Sequence, residues 1–123
     1  VSNRLRRTVP VGMDVEVFSF QLLKFMYENA NAEFEKEHVT PFIYLSNHNN
    51  YKLGSCEEAF DNSKYRLTLD ELNDYKAIKE VYKFFDNKVD FSYDDLITLL
   101  KNNPYIAEIN NSVNQKANEY FQI

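Results

Sequence analysis

The sequence predicts an α/β fold, because segments with the period of a half-buried strand are followed by segments with the period of an amphipathic helix. The change is sharpest in YRLTLDELNDYKAIKEVYKFF, residues 65–85. Tyr65–Leu69 alternates apolar and polar residues, as a strand with one buried face does. From Leu72 to Phe85 the apolar residues recur every three or four positions, as on one face of a helix. The same strand-to-helix change follows Gly12–Phe18.

These patterns give approximate limits for each element. The predicted strands are Met13–Phe18, Tyr51–Cys56 and Tyr65–Leu69, and the predicted helices are Phe20–Asn29, Glu71–Phe85 and Tyr93–Asn102. Ser19 is a predicted N-cap, and Ser92 with Asp95 forms an S-x-x-D capping box. Asp70 is the predicted N-cap of the long helix. Because ligands of open α/β sheets bind where strands end and helices begin, Asp70 is also a candidate functional residue.

The segment between the first helix and the second strand is less regular. Glu33–Glu37 reads as a charged turn, and Thr40 is expected to cap a short helix that runs through Leu45 and tolerates Pro41 in its first turn. The SNHNN sequence around His48 indicates a turn. The residues from Asn114 onward are expected to fray.

Composition excludes several classes of protein. A chain of 123 residues with 44% hydrophobic residues fits one globular domain. It contains no apolar run of the roughly 20 residues that cross a bilayer, and its net charge of −5 disfavours general nucleic-acid binding. One cysteine fits a reducing cytoplasm, and one cysteine with two separated histidines disfavours a closed zinc site. Two glycines cannot supply a phosphate-binding glycine loop.

Several polar residues could bind a ligand, and each also has a simpler structural interpretation. Arg7 and its neighbouring arginines form either an anion clamp or a solvated basic arm. Asp14 and Glu16 point to the same side of their predicted strand, where they could share a metal or a sugar hydroxyl, or simply face water. His38 stands alone beside apolar residues, and such a histidine is more often structural than catalytic.

Three motifs in this order and spacing, GMDVEVFSFQLL, EHVTPFIY and YRLTLDELNDY, resemble the C-terminal half of the spore-coat polysaccharide biosynthesis protein F family. The resemblance covers nearly all of residues 2–113. It implies a bacterial, cytoplasmic, cytidylyltransferase-like protein with a Rossmann-like, glycosyltransferase-A-type nucleotide-binding sheet. Related acylneuraminate and deoxy-octulosonate cytidylyltransferases couple CTP to a sugar acid and release pyrophosphate.

The resemblance also implies roles for individual residues. The family pattern of arginine, threonine, aspartate and a second aspartate matches Arg66, Thr68, Asp70 and Asp74. It makes Asp70, with Asp74, a candidate ligand of Mg²⁺, which prefers one or two carboxylates together with substrate phosphates. The substrate-binding candidates are Arg7, Asp14, Glu16, His38 and Arg66.

The sequence departs from the family in one respect. The family's N-terminal half carries the CTP-gripping loop and a further metal-binding aspartate, and neither motif occurs in these residues. We therefore expect the chain to provide half of an active site, to be inactive alone, and to self-associate or pair with an N-terminal half. The alternatives are a non-enzymatic binding or assembly module, and a soluble α/β domain whose carboxylates only cap helices and face water.

Overall fold

The computed structural model describes residues 1–46 and 50–113. Within them the chain forms two compact units. Of the described residues, the first unit contains Val1–Arg6 and those between Val15 and Cys56, and the second contains Arg7–Asp14 and residues 57–113. The single-domain expectation stays a prediction. The expected turn around His48 and the expected fraying from Asn114 lie outside the described residues.

The helices of the first unit are α1 (Phe20–Asn29), α2 (Glu33–His38) and a π-helix (Phe42–Ser46). The prediction for α1 is confirmed, including its cap, because Ser19 Oγ accepts a hydrogen bond from the Leu22 N–H at 3.2 Å. Met26, Phe42 and Ile43 form the buried core of this unit.

The prediction of a charged turn at Glu33–Glu37 is wrong, because these residues belong to α2. Its start has no Ser, Thr, Asp or Asn cap. Instead the buried carboxylate of Glu35 reaches back, and its Oε2 accepts the backbone N–H groups of Asn31 and Ala32, both at 3.1 Å. This is the reciprocal half of a capping box, in which a first-turn carboxylate accepts the N–H of the N-cap residue.

The helices of the second unit are α3 (Leu72–Phe84), α4 (Tyr93–Asn102) and α5 (Pro104–Glu108). The predictions for α3 and α4 are confirmed, with α3 one residue shorter at each end. The capping box of α4 is also confirmed, because Ser92 and Asp95 each accept the other's backbone N–H, at 3.0 and 3.1 Å. The core of this unit comprises Tyr65, Val81, Leu96, Ile97, Leu99, Leu100 and Ile106.

The predicted strands do not form ladders within the described residues. Pairing there is limited to isolated bridges, which link Ser2 to Glu16 and to Ser55 in the first unit, and Val11 to Arg66 in the second. Side chains occupy some of the positions that a ladder needs. Asn3 Oδ1 accepts the Val15 N–H at 2.9 Å, and the Arg66 carbonyl accepts Asn110 Nδ2 at 3.1 Å. The detailed sheet prediction is therefore not confirmed.

A tight turn, residues 10–13, takes up the start of the segment predicted as a strand at Met13–Phe18. The Met13 N–H donates to the Pro10 carbonyl at 3.1 Å, and Gly12 has a φ of 101°. A Cβ atom at position 12 would lie 2.6 Å from the carbonyl oxygen of Leu67. Glycine is needed here for both its positive φ and its close backbone approach. Across the described residues, no helix has the length and apolar character that a bilayer-spanning helix needs.

Candidate functional site

The Asp74 carboxylate lies at the centre of the strongest polar cluster in the second unit. Arg66 binds it with two parallel bonds, Nε to Oδ1 and Nη2 to Oδ2, both 2.9 Å long. Asn110 Nδ2 donates to Oδ1 at 2.8 Å, and Thr68 Oγ1 donates to Oδ2 at 3.2 Å. The side chain is shielded completely from solvent. The carboxylate is thus held by charge and by hydrogen bonds on both oxygens.

Asp74 also holds the residues just before α3, in a different way from the cap that the sequence assigned to Asp70. Its Oδ2 accepts the backbone N–H groups of Asp70 and Glu71, at 3.1 and 3.2 Å. Glu71, in an extended conformation, is the N-cap residue of α3. The prediction that Asp70 is the N-cap is therefore wrong, because the helix begins one residue later, and Asp74, its third residue, reaches back to the N–H of the N-cap residue as in a capping box.

This environment keeps Asp74 ionised. The Arg66 guanidinium, and then the donors from Asn110, Asp70 and Glu71, lower the pKa of the Asp74 carboxyl well below its usual range, against the opposing effect of burial. The hydrogen bonds that Arg66 donates to Asp74 raise the pKa of Arg66 in return. A carboxylate has about four lone-pair sites, and those of Asp74 are already engaged by protein donors.

Asp70 has the opposite environment. Its side chain is 64% exposed, and its Oδ2 accepts one hydrogen bond from Arg66 Nη2 at 3.1 Å. Arg66 therefore bridges the two aspartates, which differ in what they can still bind. Asp70 has lone pairs directed to solvent, whereas those of Asp74 point into the protein.

A Mg²⁺ ion fits this arrangement only as an open site. It would take the Asp70 carboxylate and fill its remaining positions with water and substrate phosphates, as Mg²⁺ does in nucleotide-dependent enzymes. Nowhere in residues 1–46 and 50–113 do three His, Cys, Asp or Glu side chains converge as a closed metal site would require. The assignment of Asp70 and Asp74 as metal ligands stays a prediction.

The substrate-binding candidates are divided between the two units. In the second unit Arg7 forms an ion pair with Asp14, and its Nη1 also donates to the Pro10 carbonyl at 3.4 Å. This pairing orders Arg7, so the solvated-arm interpretation does not describe it. Asp14 is correspondingly engaged by a cation.

Glu16 belongs to the first unit and is held by two hydroxyl groups. Thr40 Oγ1 donates to its Oε2 at 2.7 Å, and the Tyr44 hydroxyl donates to its Oε1 at 2.6 Å. Burial, followed by the hydrogen bond to Glu16, raises the pKa of Tyr44 to about 12. Tyr44 therefore stays protonated at neutral pH. A cavity of about 110 Å³ lies beside this cluster and is lined by residues that include Thr40, Tyr44 and Lys52.

A strained turn places Thr40 in that cluster. The Thr40 N–H donates to the His38 carbonyl at 2.8 Å, which puts Val39 at φ 67° and ψ −61°. This is a γ-turn of the rare, strained kind, at a β-branched residue that seldom has positive φ. His38 itself is exposed in the last turn of α2. The helix expected after Thr40 is replaced by the π-helix.

Tyr44 and Asn110 contribute to these clusters and were not identified from the sequence as functional. Tyr44 lies in the EHVTPFIY motif, and its spacing from Thr40 could have suggested that the two share a helix face. Asn110 gives no local signal, because it contacts Asp74 from 36 residues away in the chain.

Two curated proteins are similar to this chain over most of its length. No family model matches the chain. An uncharacterised protein of the archaeon Methanocaldococcus jannaschii is 35% identical over 113 residues, which is 90% of this chain and 46% of that protein. The spore coat polysaccharide biosynthesis protein SpsF of Bacillus subtilis is 37% identical over 102 residues, covering 80% of this chain and 42% of that protein.

A solved structure agrees with these relatives. A cytidylyltransferase from Leptospira borgpetersenii matches with a TM-score of 0.76 and 34% identity, over 86% of this chain and 44% of that chain. The chain is a cytidylyltransferase-like relative of SpsF. Its fold is accordingly that of part of a nucleotidyltransferase.

The chain spans less than half the length of each of these three proteins. The similarity therefore establishes the relationship and the type of fold, while the activity of a whole SpsF-like protein comes to this chain only as a proposal. The comparisons also assign no role to single residues, so the candidate substrate and metal residues rest on the geometry of each unit.

Proposed function

We propose that this chain supplies the C-terminal part of a cytidylyltransferase active site used in polysaccharide biosynthesis. In the proposed reaction a hydroxyl oxygen of a sugar acid attacks the α-phosphorus of CTP. The bond from that phosphorus to the bridging oxygen breaks, so the products are a CMP-sugar, pyrophosphate and the proton of the attacking hydroxyl. CTP is a cytoplasmic substrate, and an exposed free cysteine such as Cys56 suits a reducing compartment. We therefore place this reaction in the cytoplasm.

The observation that carries the proposal is the exposed Asp70 carboxylate on a turn fixed by Asp74. When bound, Mg²⁺ would neutralise charge that develops on the departing pyrophosphate. Arg66 holds one oxygen of Asp70 at 3.1 Å and so limits the directions that the carboxylate can take. Asp74 acts through that turn, since its own oxygens are taken up by protein donors.

We assign the other candidate residues to substrate binding. Arg7, oriented by Asp14, supplies positive charge near the start of the second unit. Glu16, Thr40 and Tyr44 present hydroxyl and carboxylate groups suited to a polyhydroxylated sugar. His38, exposed at the end of α2, is the remaining candidate in the first unit.

We further propose that the isolated chain does not turn over. The sequence contains two glycines and no phosphate loop, so the convergent backbone N–H groups for the triphosphate must come from an N-terminal half. Such pairing also suits the large apolar side chains that α1 exposes, among them Phe20 at 74% and Tyr27 at 86%. The same glycine deficit favours the alternative of a non-enzymatic binding or assembly module.

A chimera tests the proposal. The N-terminal half of the Leptospira cytidylyltransferase is joined to this chain, and pyrophosphate release is measured with CTP, Mg²⁺ and sugar acids of the sialic and deoxy-octulosonic types. We expect release by the chimera and a loss of at least about 100-fold in its Asp70→Asn variant, because a metal supplies several kcal/mol of transition-state stabilisation. Asp94→Asn, an exposed aspartate in the first turn of α4, is the matched control.

The outcomes separate the competing functions. Equal release by the Asp70→Asn and parent chimeras would eliminate the metal role of Asp70. A folded chimera that binds CTP but releases no pyrophosphate would favour the binding-module alternative. Steady pyrophosphate release by the isolated chain would show that it is not half of an active site.

A further inference from the structure

Asn110 is a buried amide that links the segment after α5 to the turn before α3. Its side chain is only 1% exposed. Nδ2 donates to Asp74 Oδ1 at 2.8 Å and to the backbone carbonyl of Arg66 at 3.1 Å. Both protons of the amide nitrogen are therefore used. One side chain thus contacts both partners of the buried ion pair, at the carboxylate of one and the backbone of the other.

The two oxygens of Asp74 face different parts of the protein. Oδ1 accepts from Asn110 and Arg66 Nε, whereas Oδ2 accepts from Arg66 Nη2, the Thr68 hydroxyl and the backbone N–H groups of Asp70 and Glu71. Because a carboxylate is rigid and planar, a rotation that weakens the Oδ1 contacts also displaces Oδ2. The position of Asn110 is transmitted in this way to the turn that carries Asp70.

We propose that Asn110 is a positioning residue for the Asp70 carboxylate. This inference rests on the proposed function, in which Asp70 faces the metal. Asn110 does not touch the ion. It fixes the rotation of Asp74 and the path of the backbone at Arg66, and these two in turn hold the turn from which Asp70 projects. Residues that hydrogen-bond a metal ligand directly commonly change metal affinity about 10–100-fold, and Asn110, which acts on Asp70 through Asp74 and Arg66, is expected at the lower end of that range.

A purely structural role must be distinguished from positioning, and Asn103 provides the matched control. Asn103 Nδ2 donates to the Leu99 carbonyl at 3.0 Å, so Asn103→Ala also deletes a partly buried amide that bonds to the backbone. It lies between α4 and α5 and makes no contact with Asp74 in the described residues. Asn110→Leu, which fills the space without donating, replaces Asn110→Ala if the smaller residue prevents folding.

The experiment uses Mn²⁺ as the probe, with free ion measured by electron paramagnetic resonance, and backbone amide exchange at Asp70 and Glu71 measured by NMR. We expect Asn110→Ala to weaken Mn²⁺ binding about tenfold and to accelerate exchange at both amides. Asn103→Ala should leave both quantities at the wild-type values. Asp70→Asn should weaken Mn²⁺ binding without altering the exchange of Glu71.

Failure of the two proposals gives different results. If Asn110→Ala matches wild type in both measurements, or if Asn103→Ala reproduces its effects, the positioning role is overturned, and loss of Mn²⁺ in Asp70→Asn still supports the metal site. If Asp70→Asn binds Mn²⁺ as wild type does, the proposed metal site is wrong. Amide exchange then decides alone whether Asn110 orders the turn.

Discussion

Replacing Arg66 by methionine should destabilise the second unit strongly and in a pH-dependent manner. Methionine keeps much of the length of the aliphatic stem and removes the charge and the donors. In the wild type the Arg66 side chain is 10% exposed and the Asp74 side chain 0%, and the two are joined by bonds of 2.9 Å. The substitution therefore leaves a carboxylate shielded from water without its cation.

The size of the effect follows from what remains around Asp74. Breaking a buried ion pair by removing one partner costs about 3–5 kcal/mol. We expect about 3 kcal/mol, the lower end of that range, because donors from Thr68, Asn110, and the backbone of Asp70 and Glu71 continue to solvate the carboxylate. Since small domains are stable by only about 5–15 kcal/mol, such a loss is readily measured.

The pH dependence has a definite sign. Arg66 is the largest cause of the lowered pKa of Asp74 in the folded state. A lowered folded-state pKa adds stability at pH values above the unfolded-state pKa of the carboxyl, and this stability is lost as the pH falls toward the folded-state value. The difference in unfolding free energy between wild type and Arg66→Met should therefore be largest near neutral pH and shrink in acid.

Urea unfolding followed by far-ultraviolet circular dichroism provides the measurement, since the chain has no tryptophan. The same substitution at the exposed Arg6 is the control and should change stability little. A loss below about 1 kcal/mol at neutral pH would show that the pair is worth no more than a surface ion pair. A difference that stays constant from neutral to acidic pH would refute the role given to Asp74.

Two further predictions concern other positions. Gly12→Ala should lower the free energy of unfolding by about 1–3 kcal/mol, because the new Cβ would lie 2.6 Å from the Leu67 carbonyl oxygen at a φ of 101°. Gly54→Ala is the control and should lower it less, because its Cβ meets only a Val1 methyl at 3.3 Å. Equal losses in thermal or urea unfolding would contradict the strain argument. Because burial and Glu16 raise the pKa of Tyr44 to about 12, its contribution to stability is present at neutral pH and lost as the pH rises toward that value. Tyr44→Phe should abolish this loss of stability at alkaline pH and remove one tyrosine that ionises at unusually high pH from the ultraviolet titration curve. A wild-type curve without such a tyrosine would contradict the raised pKa.

The parts of the fold that the sequence predicts best are those determined by neighbouring residues. The limits of α1 and α4 follow from a serine cap and the apolar residues directly after it, and both helices form as predicted. The strands depend on partners far away in the chain. Their alternating patterns are real, yet contacts such as Asn3 with Val15 replace ladder bonds and leave isolated bridges. Periodicity cannot reveal such a substitution of partners.

The candidate site was predictable in its residue types but not in the roles of the two aspartates. Arg66, Asp70 and Asp74 were all identified, and the structure brings them together. The sequence favoured Asp70 as the helix cap because it precedes the apolar pattern. The N-cap residue is Glu71 instead. The Asp74 carboxylate, held inward by Arg66, Thr68 and Asn110, accepts the backbone N–H groups of Asp70 and Glu71.

This difference between the two aspartates bears directly on the chemistry. The inward-facing carboxylate of Asp74 is occupied by protein donors, whereas Asp70, which is not the N-cap, extends outward and accepts a hydrogen bond from Arg66 at 3.1 Å. Two aspartates four residues apart therefore need not act as a pair of metal ligands, since one can build the turn while the other is presented by it. The hydrogen-bond donors around each carboxylate decide which aspartate builds the turn and which is presented to solvent. One of the donors to Asp74, Asn110, comes from a distant segment of the chain. Assigning metal ligands within such a motif thus requires the tertiary structure even where the motif itself is unmistakable.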